Sequence, residues 1–115
     1  MSAFDPMAVA IDWLDAYRAR SLGIVNLYAN DAAIECGCGG QAVLYGHDAI
    51  TAYWRQRFVE RPAGELHELQ MNGNTVVVSY HVPDGIVRAS LTIDREGHIA
   101  RSQCGPAADV VALRG

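Results

Sequence analysis

The feature that most constrains this chain is a change of hydrophobic period at Gly64. Before it, apolar residues recur at helical spacing; after it, they alternate. The second half reads as four strands: Glu65 to Met71, Thr75 to Val82, Ile86 to Asp94 and His98 to Cys104. The joints Asn72-Gly73, Asp84-Gly85 and Glu96-Gly97 are hairpin signals, because glycine accepts the positive φ of a tight turn. In the first half, Asp5 to Arg20 predicts a helix with Asp5 as N-cap and Pro6 in the first turn. Met7, Ala10, Ile11, Leu14 and Tyr17 form its apolar face, with Trp13 at the edge. A shorter helix is expected from Leu22 to Tyr28, broken by Asn30-Asp31. Ala32 to Cys36 reads as a strand and Ala42 to Tyr45 as a short return strand ended by Gly46. His47 to Glu60 reads as a helix with Ile50, Tyr53, Trp54 and Phe58 inward. Helices first and an antiparallel meander afterwards predict an α+β domain, a curved, mostly antiparallel sheet wrapped over about three helices.

Length and composition narrow the function classes. The 115 residues suit one compact domain, 1–115, and no repeat or linker divides them. No apolar run approaches the roughly 18 residues of a membrane helix, and no signal segment opens the chain, so a soluble cytoplasmic protein is expected. All nine basic residues are arginine. Without lysine there is no Schiff-base chemistry, no lysine-anchored pyridoxal phosphate and no P-loop. A formal net charge of −4 argues against nucleic acid as a partner. The three cysteines, Cys36, Cys38 and Cys104, fit reduced thiols, and their spacing matches neither a redox pair nor a zinc knuckle. Neither a metal nor a cofactor is expected.

Register sorts the strand faces. With Asp84-Gly85 as a two-residue turn, Val82, Tyr80, Val78 and Val76 oppose Val87, Ala89, Leu91 and Ile93 on an apolar face. Ser79, His81, Arg88, Ser90 and Thr92 fall on the other. With Asn72-Gly73 as the preceding turn, Leu69 opposes Val76, His67 opposes Val78 and Glu65 approaches Tyr80. His67 and Tyr80 therefore point inward. They are either core residues making one hydrogen bond each or the polar groups of a concave apolar pocket.

The segment Leu27-Tyr28-Ala29-Asn30-Asp31-Ala32-Ala33-Ile34-Glu35, then Tyr45-Gly46 with His47-Asp48-Ala49-Ile50, resembles the nuclear transport factor 2-like superfamily. Within it the chain is most similar to the SnoaL-like (polyketide cyclase) and ketosteroid-isomerase-like branch. The turn Asp94-Arg95-Glu96-Gly97-His98-Ile99 fits as well, and the likeness runs from about residue 7 to 105. The resemblance implies a cone-shaped α+β barrel. It also implies a last strand beside the first, with Ser102 and Cys104 inward and Cys36 near Cys104. The branch's catalytic positions do not match. Cys36 stands where the isomerases have a carboxylate base, and Asp12 or Trp13, with Ala89, stand where they have an oxyanion hole.

The expected cavity lining is Trp13, Tyr17, Tyr28, Cys36, Tyr53, Trp54, His67, Tyr80 and Cys104. The reading is a small-molecule-binding domain without the isomerase catalytic set. The alternative is an isomerase, cyclase or dehydratase with His67 as acid or base, Tyr80 as oxyanion donor and Asp12 as a second acid–base group at the mouth. No arginine is expected inside, so the ligand should be neutral and hydrophobic. A homodimer through the outer sheet face is also expected, formed by Val77, Ser79, His81, Arg88, Ser90, Thr92, Arg101 and Gln103.

Overall fold

The computed structural model describes residues 5–36, 42–60, 62–83 and 85–106. Helix α1 spans Pro6–Arg18, and the Asp5 side chain caps it by accepting from the Met7 amide. Its buried stripe is Ala10, Trp13, Leu14 and Tyr17, while Ile11 is 46% exposed. The face is therefore rotated from the expected one, and Trp13 stands inside it. The helix ends with Arg20 at φ +57, its amide bonded to the Tyr17 carbonyl and that of Ser21 to Ala16. This double closure is a Schellman ending, with arginine where glycine is the usual residue. A short 3-10 helix, Leu22–Leu27, follows where the shorter helix was expected.

Six strands form one open sheet: β1 (Tyr28–Cys36), β2 (Ala42–Tyr45), β3 (Leu66–Asn72), β4 (Thr75–Val82), β5 (Gly85–Ile93) and β6 (Ile99–Pro106). The order is β2-β1-β6-β5-β4-β3, antiparallel except where β1 runs parallel to β6. The sheet ends at β2 and β3, so it does not close into a barrel. Asn30 and Asp31 lie within β1 and do not break it from the preceding turn. Helix α2 (Gly46–Glu60) and α1 cover one face. His47 ties α2 to β1, its Nε2 3.0 Å from the Tyr28 carbonyl oxygen.

The expected alternation on β4 and β5 holds, but the pairing is displaced by two residues. Val82 pairs with Gly85, Tyr80 with Val87, Val78 with Ala89 and Val76 with Leu91. The joint therefore falls at Pro83, and Asp84 lies outside the described residues. A two-residue displacement keeps each side chain on its face, so Val76, Val78, Tyr80, Val87, Ala89, Leu91 and Ile93 are all buried. The β3–β4 joint behaves differently. Asn72 pairs with Thr75 and Leu69 with Val78, again two residues away, but the register then shifts between Leu66 and Glu68. Leu66 pairs with Tyr80, Glu68 with Ser79, and His67 is the extra residue of a bulge. That single step sends His67 outward. It is exposed, and its ring stands 5.5 Å from that of His81.

Candidate functional site

The inner face gathers aromatic side chains from four elements: Trp13 and Tyr17 of α1, Tyr28 of β1, Tyr53 and Trp54 of α2, and Tyr80 of β4. Trp13 meets Trp54 and Tyr80 with ring centroids 5.7 Å apart, and Tyr17 meets Trp54 at 4.8 Å and Tyr80 at 5.3 Å. Tyr53 packs on Trp54 at 5.1 Å. These contacts are edge-to-face, the arrangement the ring quadrupoles favour.

Polar atoms thread the cluster. Trp13 Nε1 donates to the Tyr28 hydroxyl at 3.1 Å, and that hydroxyl lies 3.2 Å from Ser102 Oγ. Ser102 is buried, as the resemblance implied. Arg57, only 6% exposed, enters from α2. Its Nε donates to the Tyr17 hydroxyl at 2.9 Å, and its Nη2 lies 3.5 Å from the Tyr80 hydroxyl, a weaker contact. Its guanidinium carbon sits 5.9 Å from the Tyr53 ring centre, within cation–π range. The indole Nε1 of Trp54 is buried with no hydrogen-bond partner among the described residues.

The structure thus brings together Trp13, Tyr17, Tyr28, Tyr53, Trp54 and Tyr80. Cys36 and Cys104 pair in register across the parallel β1–β6 ladder, although their side chains lie outside the described ones. Cys38 lies outside the described residues altogether. His67 and Asp12 do not join the cluster: the first is on the outer face, the second exposed on the flank of α1. The expectation of an interior without arginine is also overturned. Arg57 follows Tyr53 by four residues and Trp54 by three, and so belongs to the stripe of Ile50, Tyr53 and Trp54. Its spacing was the signal, and its charge concealed it.

Two other concave surfaces are lined mostly by residues outside this cluster, one of them reaching it at Tyr28. An apolar cleft of about 180 Å³ runs between α1 and β3, lined by Ile11, Leu14, Leu66 and Leu69 among others. Near the β5–β6 turn, Asp94, Glu96 and His98 hold ligand-type atoms within 4.8 Å of one another. There Asp94 Oδ1 accepts from the amides of Glu96 (2.9 Å) and His98 (3.0 Å), so the carboxylate already has a role in shaping the turn.

No protein-family model and no curated protein sequence matches this chain. Solved structures do. A SnoaL-like protein of unknown function from Burkholderia thailandensis superimposes with a TM-score of 0.73 at 18% identity, over 85% of this chain and 91% of that one. SalBIII, an epoxide hydrolase/cyclase-like enzyme in pyran ring formation in the polyether salinomycin, gives 0.74 at 19% identity, over 90% and 92%. At such identities the likeness establishes the fold. The chain has the SnoaL-like, nuclear transport factor 2-like fold that its sequence pattern implied.

Proposed function

We propose that this domain binds a small, largely apolar molecule against its inner face, and that the molecule presents an oxygen acceptor, a carbonyl, enolate or carboxylate. The observation that carries the reading is Arg57, a guanidinium buried among aromatic rings. Desolvating such a charge costs several kcal/mol, and apolar side chains of similar size commonly pack as well or better. Its contacts with the Tyr17 and Tyr80 hydroxyls hold that charge among the rings. The buried Trp54 indole N–H one turn away supports the same reading, since an unsatisfied buried donor costs about 1–3 kcal/mol. The neutral hydrophobic ligand expected from the arginine count is therefore revised to an apolar body with an acceptor oxygen.

Should this face perform chemistry, the proton donors would be the hydroxyls of Tyr17 and Tyr80, which Arg57 positions. His67 would have no part in it. Dimerisation through the outer sheet face, with Val77, Ser79, His81, Arg88, Ser90, Thr92, Arg101 and Gln103, belongs to the same reading, as does a cytoplasmic setting. In support of the latter, no described helix is long and apolar enough to cross a membrane. Light scattering across a concentration series checks the dimer, and a monomer at every concentration contradicts it.

The ligand test uses tryptophan fluorescence with matched naphthalenes, with and without a carboxylate. The carboxylate form is expected to bind at least about tenfold tighter, a difference of about 1.4 kcal/mol. Arg57→Met should erase that preference while leaving the fold intact by circular dichroism. Equal binding of the two compounds, or a preference that survives in Arg57→Met, would sink the proposal.

A further inference from the structure

On the outer face, away from the aromatic cluster, His67 and His81 stand side by side on neighbouring strands, both exposed, with ring centroids 5.5 Å apart and planes at 89°. The arrangement depends on the bulge. A regular β3 ladder would turn His67 toward the helices, whereas the extra residue brings it beside His81. The backbone around the pair is fixed by two hydrogen bonds: the His81 amide donates to the Glu65 carbonyl at 3.0 Å, and the Gly64 amide donates to the His81 carbonyl at 2.7 Å.

We infer that His67 and His81 form a two-imidazole site for a borderline divalent transition metal ion of the zinc, nickel or copper class. Imidazole nitrogen is the protein donor such ions share. Geometry supports the assignment. Two imidazole nitrogens at about 2.0–2.1 Å from one tetrahedral ion place their ring centroids roughly 5 Å apart. The observed separation of 5.5 Å is close to that. Because both rings are exposed, binding demands no rearrangement of the core. Water completes the coordination, so the site is open. His67 lies on the edge strand β3 and His81 on its neighbour β4, where it pairs with Ile86 of β5.

The test is a zinc titration of the whole chain followed through the imidazole nitrogen resonances of each histidine by NMR. A site-by-site readout is needed because thiolates, of which the chain can supply three, are also zinc donors. The His67 and His81 signals should move together with a single midpoint. His81→Ala should raise the His67 midpoint at least about tenfold, a loss of the size seen when even the supporting partners of metal ligands are removed. His98→Ala, in the carboxylate-rich turn on the other hairpin, should leave the midpoint unchanged. The assignment is overturned if His67 and His81 stay still at millimolar zinc, if they titrate separately, or if His81→Ala leaves the His67 midpoint where it was.

Discussion

The β4–β5 and β3–β4 hairpins are built from similar materials, yet they treat a displaced register in opposite ways. In β4–β5 the pairing lies two residues from the one a glycine-centred turn implies, and every side chain remains on its expected face. In β3–β4 the same two-residue displacement occurs, and a bulge at His67 adds a step of one. Two is the period of a strand, so the first displacement leaves facing unchanged and the second inverts it. Pairing errors in a sheet therefore matter by parity more than by size. One bulge moved a histidine from the presumed centre of a site to the opposite surface.

The comparison can be broken most strongly at the clean hairpin. Leu91, fully buried on β5, should lose about 2–5 kcal/mol on replacement by Ala, read by urea unfolding, because the cavity cannot collapse between sheet and helices. A cost near zero would mean that this face is not the packed one. Next comes Tyr28→Phe, which leaves Trp13 Nε1 and Ser102 Oγ without the hydroxyl they share. A loss of about 1–3 kcal/mol is expected, again in urea, with little change in fluorescence of the folded state. The sharpest challenge to the contrast is deletion of His67. Removing it brings Leu66 and Glu68 into consecutive register opposite Tyr80 and Ser79, so a folded protein within about 1 kcal/mol of the parent is expected, as for a surface change on an edge strand. Loss of folding would show that the bulge is required by the sheet. Smallest of all, Thr92→Ala on the outer face should stay within about 0.5 kcal/mol despite its 3.4 Å contact with Thr75, since the site is partly exposed.

Much of the fold was legible because it rests on short-range chemistry. The Asp5-Pro6 start of α1, the return strand ended by Gly46 at φ +86, and the four-strand meander all follow from caps, turn residues and period. What local chemistry misjudged were features that depend on neighbours. The stripe on α1 is centred on Trp13 because β4 and α2 present rings to it there, through Tyr80 and Trp54. The strand β1 runs through Asn30 and Asp31, and these two turn-forming residues fall in the irregularity where its register with β6 shifts between Tyr28 and Ala33. In the candidate site, the aromatic members could be named in advance, since large apolar residues at face-forming positions have few other places to go. Arg57 and His67 could not. One is a charge held in the core by phenols from α1 and β4, the other a residue whose face is decided by a bulge.

By itself, then, the sequence determined the α+β class, the strand faces of the main hairpin and the aromatic character of the interior, because periodicity and turn chemistry act within a few residues. Tertiary structure alone decided which cation is buried and which histidine is outside. Both depend on contacts between segments far apart in the chain: Arg57 with Tyr17, forty residues away, and His67 with the ladder of β4.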